Sequence, residues 1–377
     1  MALKGIRVLE LTGLAPGPFC GKVLADFGAT VTRIDRVVEN HTDVMQHGKR
    51  TLALDLKQPK AQQLLQNIVG SYDVLIEPYR PGTMEKLKLG PDSLCKMHPK
   101  LIYARLTGFG QTGRLAKRAG HDINYAAISG VLSMLGRYGE KPTPPINILA
   151  DFAGGSLMCA FGILLALLER HHSGKGQIVD AAMIDGAAYV ASWLFMSRTL
   201  PIWLGKRGEN MLDGGVYFYD TYETKDGKFM SVGALEPQFF EIFKTRIGLP
   251  DLTQIMTDEA EIKDVKSKIR EVFLQKTQAE WSDIFEDFDA CVYPVVEWED
   301  VMKHDHNKER ESFQIIDNTI VPKPAPRLSR TPGNVDPNFD IKQQFSTVLK
   351  ELNLSKTELQ KLIDEKILFL PQHTAKL

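Results

Sequence analysis

Hydrophobic positions in the first third of the chain come in short runs set between segments of helical period. "KGIRVLELTG" reads as a buried strand followed by a Gly-Pro loop from Gly13 to Pro18. "CGKVLADFGATVTRID" reads as a helix with Gly28 near its end, then a second strand. "TLALDL" and "YDVLIEPY" are further strands around the polar helix "KAQQLLQNIV", and "LIYARLTGFG" is another strand ending in glycines. This alternation predicts βαβ units and a parallel sheet, a Rossmann-like α/β fold whose ligands lie beyond the carboxyl ends of its strands. The glycines of "TGLAPGPFCG" do not make a GxGxxG fingerprint, so the loop gives little support to a nicotinamide or flavin cofactor.

From Ile123 the spacing turns helical through Ala126, Ala127, Val131, Leu132 and Leu135, with Gly130 as the weak point. A second helix is expected to begin after Asp151 and to end near Gly174. Its apolar run from Leu157 to Leu168 is well short of the roughly 20 residues that span a bilayer, which predicts a core helix of a soluble protein. "GQIVDAAMIDGAAYVASWLF" adds a strand or helix start and an apolar helix. After about Arg198 the character shifts. Gly205 to Gly215 is loop-like, and "YFYDTYETKDGKFMSVGAL" alternates in β fashion around Asp226 and Gly227. Charged helices follow through "MTDEAEIKDVKSKIREVF", so a smaller α+β domain is expected here. "VPKPAPRLSRTPG" is a connector, and "STVLKELNLSKTELQKLIDEKIL" is an amphipathic helical end.

A length of 377 residues allows two domains. Lys plus Arg (46) nearly cancels Asp plus Glu (47), so no overall field suits nucleic acid or an anionic membrane, and any anion site must be local. Cys20, Cys95, Cys159 and Cys291 lie far apart without CxxC pairing, which implies reduced thiols inside the cell and no metal site. Ala375, Lys376 and Leu377 end the chain on a small-basic-Leu tripeptide close to the peroxisomal S-K-L address, which would make the import receptor a partner. Lys4 and Arg7 leave only a faint mitochondrial presequence signal.

The stretch "AGHDINYAAISG" places His121 and Asp122 at the start of a helix. Asp122 is a good N-cap for a helix beginning at Ile123. The positive end of that helix would favour a neutral, proton-accepting His121, although a plain loop histidine fits as well. Asp151 repeats the arrangement ahead of the long apolar helix; as an N-cap it could be wholly structural, worth about 1 kcal/mol. The amides of the two helix starts could also hold an oxyanion. Glu236, before Pro237, could orient a histidine or only complement a helix dipole. Arg36, Lys57, Arg80 and Lys86 read singly as surface charges, yet at strand ends they could surround an anionic nucleotide.

Taken together, "ELTGLAPGPFCGKVLADFGATVTRIDR", "LDLKQP", "LIEPYRPGTMEKLKLGP", "ARLTGFGQTG", "AGHDINYAAISGVLS" and "NILADFAGGSLMCAFGILLALLERHHSGKGQIVDAAM" resemble the family III CoA-transferase superfamily. Within it they are most similar to the α-methylacyl-CoA racemases, especially those of animals. The likeness continues through "VGALEPQFFEIF" and "HDHNKERESF" and weakens after about Asn338. The resemblance implies an N-terminal large domain (1–198), a small domain (199–320) and a segment (321–377) returning to the large one, in an interlocked homodimer. It implies acyl-CoA as substrate, held by Arg36, by Leu54, Asp55, Leu56 and Lys57, by Arg80 and Lys86, and by Gly120, Asp122, Ile123, Asn124 and Tyr125. His121 and Asp151 would be the acid-base pair and Glu236 the histidine's partner. The implied reaction interconverts (2R)- and (2S)-2-methyl-branched acyl-CoAs, such as pristanoyl-CoA and bile-acid intermediates, by proton transfer through an enolate, with no cofactor beyond the CoA of the substrate. The rival within the superfamily is a CoA transferase that uses Asp151 as nucleophile. A rival outside catalysis is a CoA-ester carrier.

Overall fold

The computed structural model describes residues 1–36 and 43–370, so the terminal Ala375, Lys376 and Leu377 lie outside the described residues. Two compact units emerge: Met1–Gly130, Pro145–Val190 and Ser312–Leu377 form the first, and Val131–Pro144 with Ala191–Glu311 the second. The resemblance implies bounds at 198 and 320. The observed units differ most in residues 131–144, which leave the first for the second.

In chain order the first unit supplies β1 (Arg7–Leu11), β2 (Thr30–Asp35), β3 (Arg50–Leu54), β4 (Val74–Glu77), β5 (Ile102–Thr107) and β6 (Ile178–Ala182). The second supplies β7 (Tyr219–Glu223), β8 (Phe229–Gly233) and β9 (Val292–Pro294). The first then resumes with β10 (Phe313–Ile316), β11 (Thr319–Pro322) and β12 (Leu368–Phe369). The large sheet runs β12-β3-β2-β1-β4-β5-β6, with β1 to β6 parallel and β12 antiparallel on β3. This is the expected Rossmann-like α/β arrangement. The central strands are buried along almost their whole length, as expected when both faces of a parallel sheet are covered.

A buried charge pair ties β1 to the segment just before β3 and to the first helix. Lys49 Nζ donates to both carboxylate oxygens of Glu10 (2.8 and 3.0 Å) and to the Pro18 carbonyl (2.6 Å). Pro18 is helical, in contrast to the loop that the glycines and prolines predict. The helix already starts at Pro16 and runs to Asp26, since proline is tolerated in a first turn where its missing N–H has no partner to lose. The helix expected from Ile123 to Leu135 is also shorter: it covers Asp122–Ile128, and Gly130 at φ +88° turns the chain out of it.

The long apolar helix begins at Ile148 rather than after Asp151 and continues to Ser173, closed by Gly174 at φ +74°. It is the one helix among the described residues long and apolar enough to cross a bilayer. Its buried Cys159, Ala160, Ile163 and Ala166 join the same core as Ile102, Ala104 and Leu106 of β5, which makes it a core helix. The amphipathic C-terminal stretch is two helices, Ile341–Glu351 and Lys356–Asp364. Ser355 caps the second, its N–H donating to the Glu358 carboxylate (2.8 Å) and its hydroxyl accepting from Glu358 N–H (3.2 Å).

In the second unit β7 and β8 form the expected hairpin, with Gly227 at φ +72° in its turn, and β9 adds an antiparallel third strand. The helix Glu259–Phe273 turns Ile262, Val265, Ile269 and Phe273 inward, and Asp258 Oδ1 accepts from Glu261 N–H at 2.9 Å to cap it. All four cysteines are unpaired.

Candidate active site

In the first unit, the chain leaving the carboxyl ends of β1, β4 and β5 encloses a cavity of 180 Å³. Strand order reverses between β1 and β4, so the cavity lies at the switch point where open α/β sheets bind ligands. Leu14, Pro16 and Gly17 come from beyond β1, Pro78 and Arg80 from beyond β4, and Leu106 to Phe109 from β5 and its glycines. His121, Tyr125 and Asp151 complete the wall. Against pockets of roughly 300–1,000 Å³ that swallow a whole small ligand, this space suits one reacting centre of a molecule that extends elsewhere.

His121 is exposed and extended (φ −133°). Its N–H donates to Asn124 Oδ1 at 3.1 Å, and its carbonyl accepts from Asn124 N–H at 2.8 Å. His121 is therefore the N-cap residue and Asp122 the first residue of the helix, one position from the expected arrangement. Asp122 caps a different helix. Its Oδ1 accepts from the N–H of Ala150 (2.6 Å) and of Asp151 (2.9 Å), and the side chain is buried. Those two amides are therefore occupied and do not serve as oxyanion donors.

Asp151 sits in the first turn of its helix rather than at the cap. The first ten residues, Ile148–Leu157, are π-helical, a wide form often found at functional sites. Asn147 caps it at φ +63°, a conformation asparagine tolerates, while the adjacent Ile146 at φ +47° is strained for a β-branched residue. Asn147 Nδ2 donates to Asp151 Oδ2 at 2.8 Å. Asp151 is 7% exposed. Burial raises its pKa above the usual aspartate value. The Asn147 hydrogen bond pulls against this, the Asp122 charge adds to it, and His121 opposes it, leaving the net shift upward.

Tyr125 backs the cavity, its hydroxyl donating to the Gly120 carbonyl and its ring meeting Phe109 edge-on at 4.9 Å. A Cβ on Gly108 would lie 2.2 Å from that ring, which is why a glycine follows β5.

Of the residues singled out from sequence, the cavity gathers His121, Asp151, Arg80, Gly120 and Tyr125. Arg36 follows β2, Asp55 to Lys57 follow β3, and Lys86 ends the short helix Thr83–Lys86 after β4; all lie past the carboxyl ends of the strands but do not line the cavity. Leu54 is packed into the core, Ile123 and Asn124 are exposed, and Asp122 lies behind the wall. Glu236 is the exposed N-cap of the helix Pro237–Arg246 in the second unit. Sequence reasoning missed Asn147 and Arg118, which also lines the cavity. An asparagine one helical turn before a buried aspartate was the available signal.

The second unit holds a larger cavity, 860 Å³. Its Arg137 and Lys266 are both spent on Asp220, at 2.6 and 2.8 Å, and it contains no histidine. Volume alone would point to the wrong place for acid-base chemistry. Among the described residues no cluster of His, Cys, Asp and Glu could hold a metal ion.

The model of CoA-transferase family III matches residues 3–338. Alpha-methylacyl-CoA racemase of Homo sapiens is 51% identical over 377 residues, covering 98% of both chains, and that of Mus musculus is 50% identical over 373 residues, covering 97% of both. The crystal structure of a CAIB/BAIF family protein from Brucella suis has a TM-score of 0.80 at 23% identity, over 93% of this chain and 99% of its own, and shares the fold.

Proposed function

The chain belongs to CoA-transferase family III, and from that premise we propose that it is an isomerase, an α-methylacyl-CoA racemase that interconverts the C2 epimers of 2-methyl-branched acyl-CoA thioesters. The observation that carries this reading is a histidine and a buried aspartate, its pKa raised by burial, on the wall of one small cavity, joined to half-identity with two racemases over nearly the whole chain.

Inversion next to a thioester removes the C2 proton on one face and returns a proton on the other. For one epimer neutral His121 takes the proton and Asp151 in its acid form delivers one to the opposite face of the enolate. For the other epimer the charges start reversed. The couple keeps one proton throughout, and each positioned group contributes about 10²–10⁴ in rate. The reaction as written needs no cofactor beyond the CoA already in the substrate.

Acyl-CoA lies, in this proposal, along the carboxyl edge of the sheet, with its anionic end near Lys57 and Arg36 and its reacting carbon in the cavity. From β3 to β4 is three strand spacings, about 14 Å, a span for an elongated ligand. Branched-chain substrates such as pristanoyl-CoA and bile-acid thioesters, a peroxisomal address in Ala375-Lys376-Leu377, and Glu236 as the histidine's partner complete the reading. A homodimer belongs to it too. Phe161, Leu164, Leu165 and Leu168, spaced along one face of the long helix, are 42–61% exposed, an apolar surface that a second copy would cover.

Incubation of one epimer of a 2-methylacyl-CoA in D2O tests the function. Deuterium at C2 with inversion is expected. An Asp151 acyl adduct trapped by hydroxylamine, without inversion, would instead favour the transferase.

A further inference from the structure

Asp122 has no established part in the chemistry, and its placement is unusual. Its side chain is 2% exposed and does not line the cavity, so substrate does not reach it. One oxygen, Oδ1, accepts both amides that open the Asp151 turn, at 2.6 and 2.9 Å, across 28 and 29 residues of chain. The other, Oδ2, is buried without a hydrogen-bond partner. A carboxylate is an expensive way to cap two amides there, because a hydroxyl or amide could accept them without burying a charge. On the far side of the same residue, the Ser156 hydroxyl, fully buried, lies 2.9 Å from the Asp151 carbonyl and 2.8 Å from the Pro16 carbonyl. The Asp151 backbone is thus held at its N–H by the residue next to His121, while its C=O shares the single Ser156 hydroxyl proton with the Pro16 carbonyl at the start of the helix after β1.

We propose that Asp122 is a positioning residue for the racemisation: it acts through the Asp151 main chain and fixes the Asp151 carboxyl on its face of the substrate carbon relative to His121. The inference rests on the proposed function. His121 and Asp122 are adjacent, so one short segment carries the first acid-base group and sets the location of the second. The covalent steps remain those of the racemase: a C2–H bond breaks to one group, and a C2–H bond forms from the other.

The test separates the two faces. In Asp151→Ala the proton donor of one face is gone. The epimer that this variant still exchanges with D2O, with retention, is the one handled by His121, whose ring takes the C2 proton, trades it for deuterium and returns it to the same face. With that epimer, Asp122→Ala is expected to keep exchange with retention near the wild-type rate while inversion falls on the order of 10²-fold, the usual consequence of misplacing a reacting group by about 1 Å. Asp122→Asn keeps an acceptor for both amides and is expected to recover inversion to within about tenfold of wild type. It also decides the matter if Asp122→Ala fails to fold. Inversion at the wild-type rate in Asp122→Ala overturns the proposal. So does an equal loss of inversion and same-face exchange in both variants, since that would mark Asp122 as a general support for folding or binding. Wild-type protein that incorporates no deuterium from D2O would overturn the proposed function, and this inference with it.

Discussion

Gly186 offers a sharp test of how the Asp151 turn is held. A Cβ placed on Gly186 would stand 1.7 Å from the Gly154 carbonyl oxygen, 2.5 Å from its carbon and 2.9 Å from its Cα, all main-chain atoms that no side-chain rotation can move. Ordinary contact begins near 3.4 Å, so the helix Met183–Val190 and the π-helical turn must part by about 1.7 Å to admit one methyl group. Overpacking of this kind costs about 1–3 kcal/mol, and the better helix propensity of alanine returns up to about 1 kcal/mol. Gly154 is three residues after Asp151 in the same turn, so the displacement reaches the carboxyl and should lower kcat on the order of 10²-fold. Urea denaturation and epimerisation rates of Gly186→Ala measure both effects. Gly233→Ala is the control, because its new Cβ would meet only ordinary contacts at 3.8–3.9 Å in β8. Gly186→Ala with wild-type stability and rate would refute the reasoning that backbone contact at Gly154 sets the position of Asp151.

Two further outcomes arise from the buried charges. Lys49→Met leaves Glu10, already pushed toward a higher pKa by burial, without its partner, and should cost about 3–5 kcal/mol in a denaturation experiment; Lys49→Met with Glu10→Leu should recover most of it. Asp151 behaves differently. Its folded pKa is raised, so the folded state holds the proton more tightly than the unfolded state, and its charge burdens the fold at pH 7. Stability is regained as pH falls from the raised value toward the unfolded value of about 3.9. Asp151→Asn should therefore be more stable than wild type at pH 7, with the advantage shrinking through that window and gone below it; a constant difference across pH would contradict the upward shift.

The strands of the large sheet were legible because both faces are covered, which leaves short runs centred on Val, Leu and Ile, such as "RVLEL" and "VLIE". His121 and Asp151 were legible as candidates because each stands at a change of pattern. The role of Asp122 was not, since the amides it holds are 28 and 29 residues away and only folding brings them near. The π-helical turn has no periodicity of its own distinct from the α-helix it feeds, and so the pattern places its start after Asp151 instead of at Ile148. The apolar spacing through Val131 and Leu132 continues past Gly130 as if one helix persisted, but a positive φ there sends those residues to another unit. β12 is two residues long, too short to alternate, and exists because the edge of β3 offers it unpaired backbone groups.

The most direct measurement takes each pure epimer of a 2-methylacyl-CoA and tracks deuterium uptake from D2O by His121→Ala and by Asp151→Ala. If the imidazole and the carboxyl address the substrate carbon from opposing faces, each variant loses inversion yet exchanges one epimer with retention, and the two variants exchange opposite epimers. Exchange of the same epimer by both variants, or inversion at the wild-type rate by either, would contradict the account.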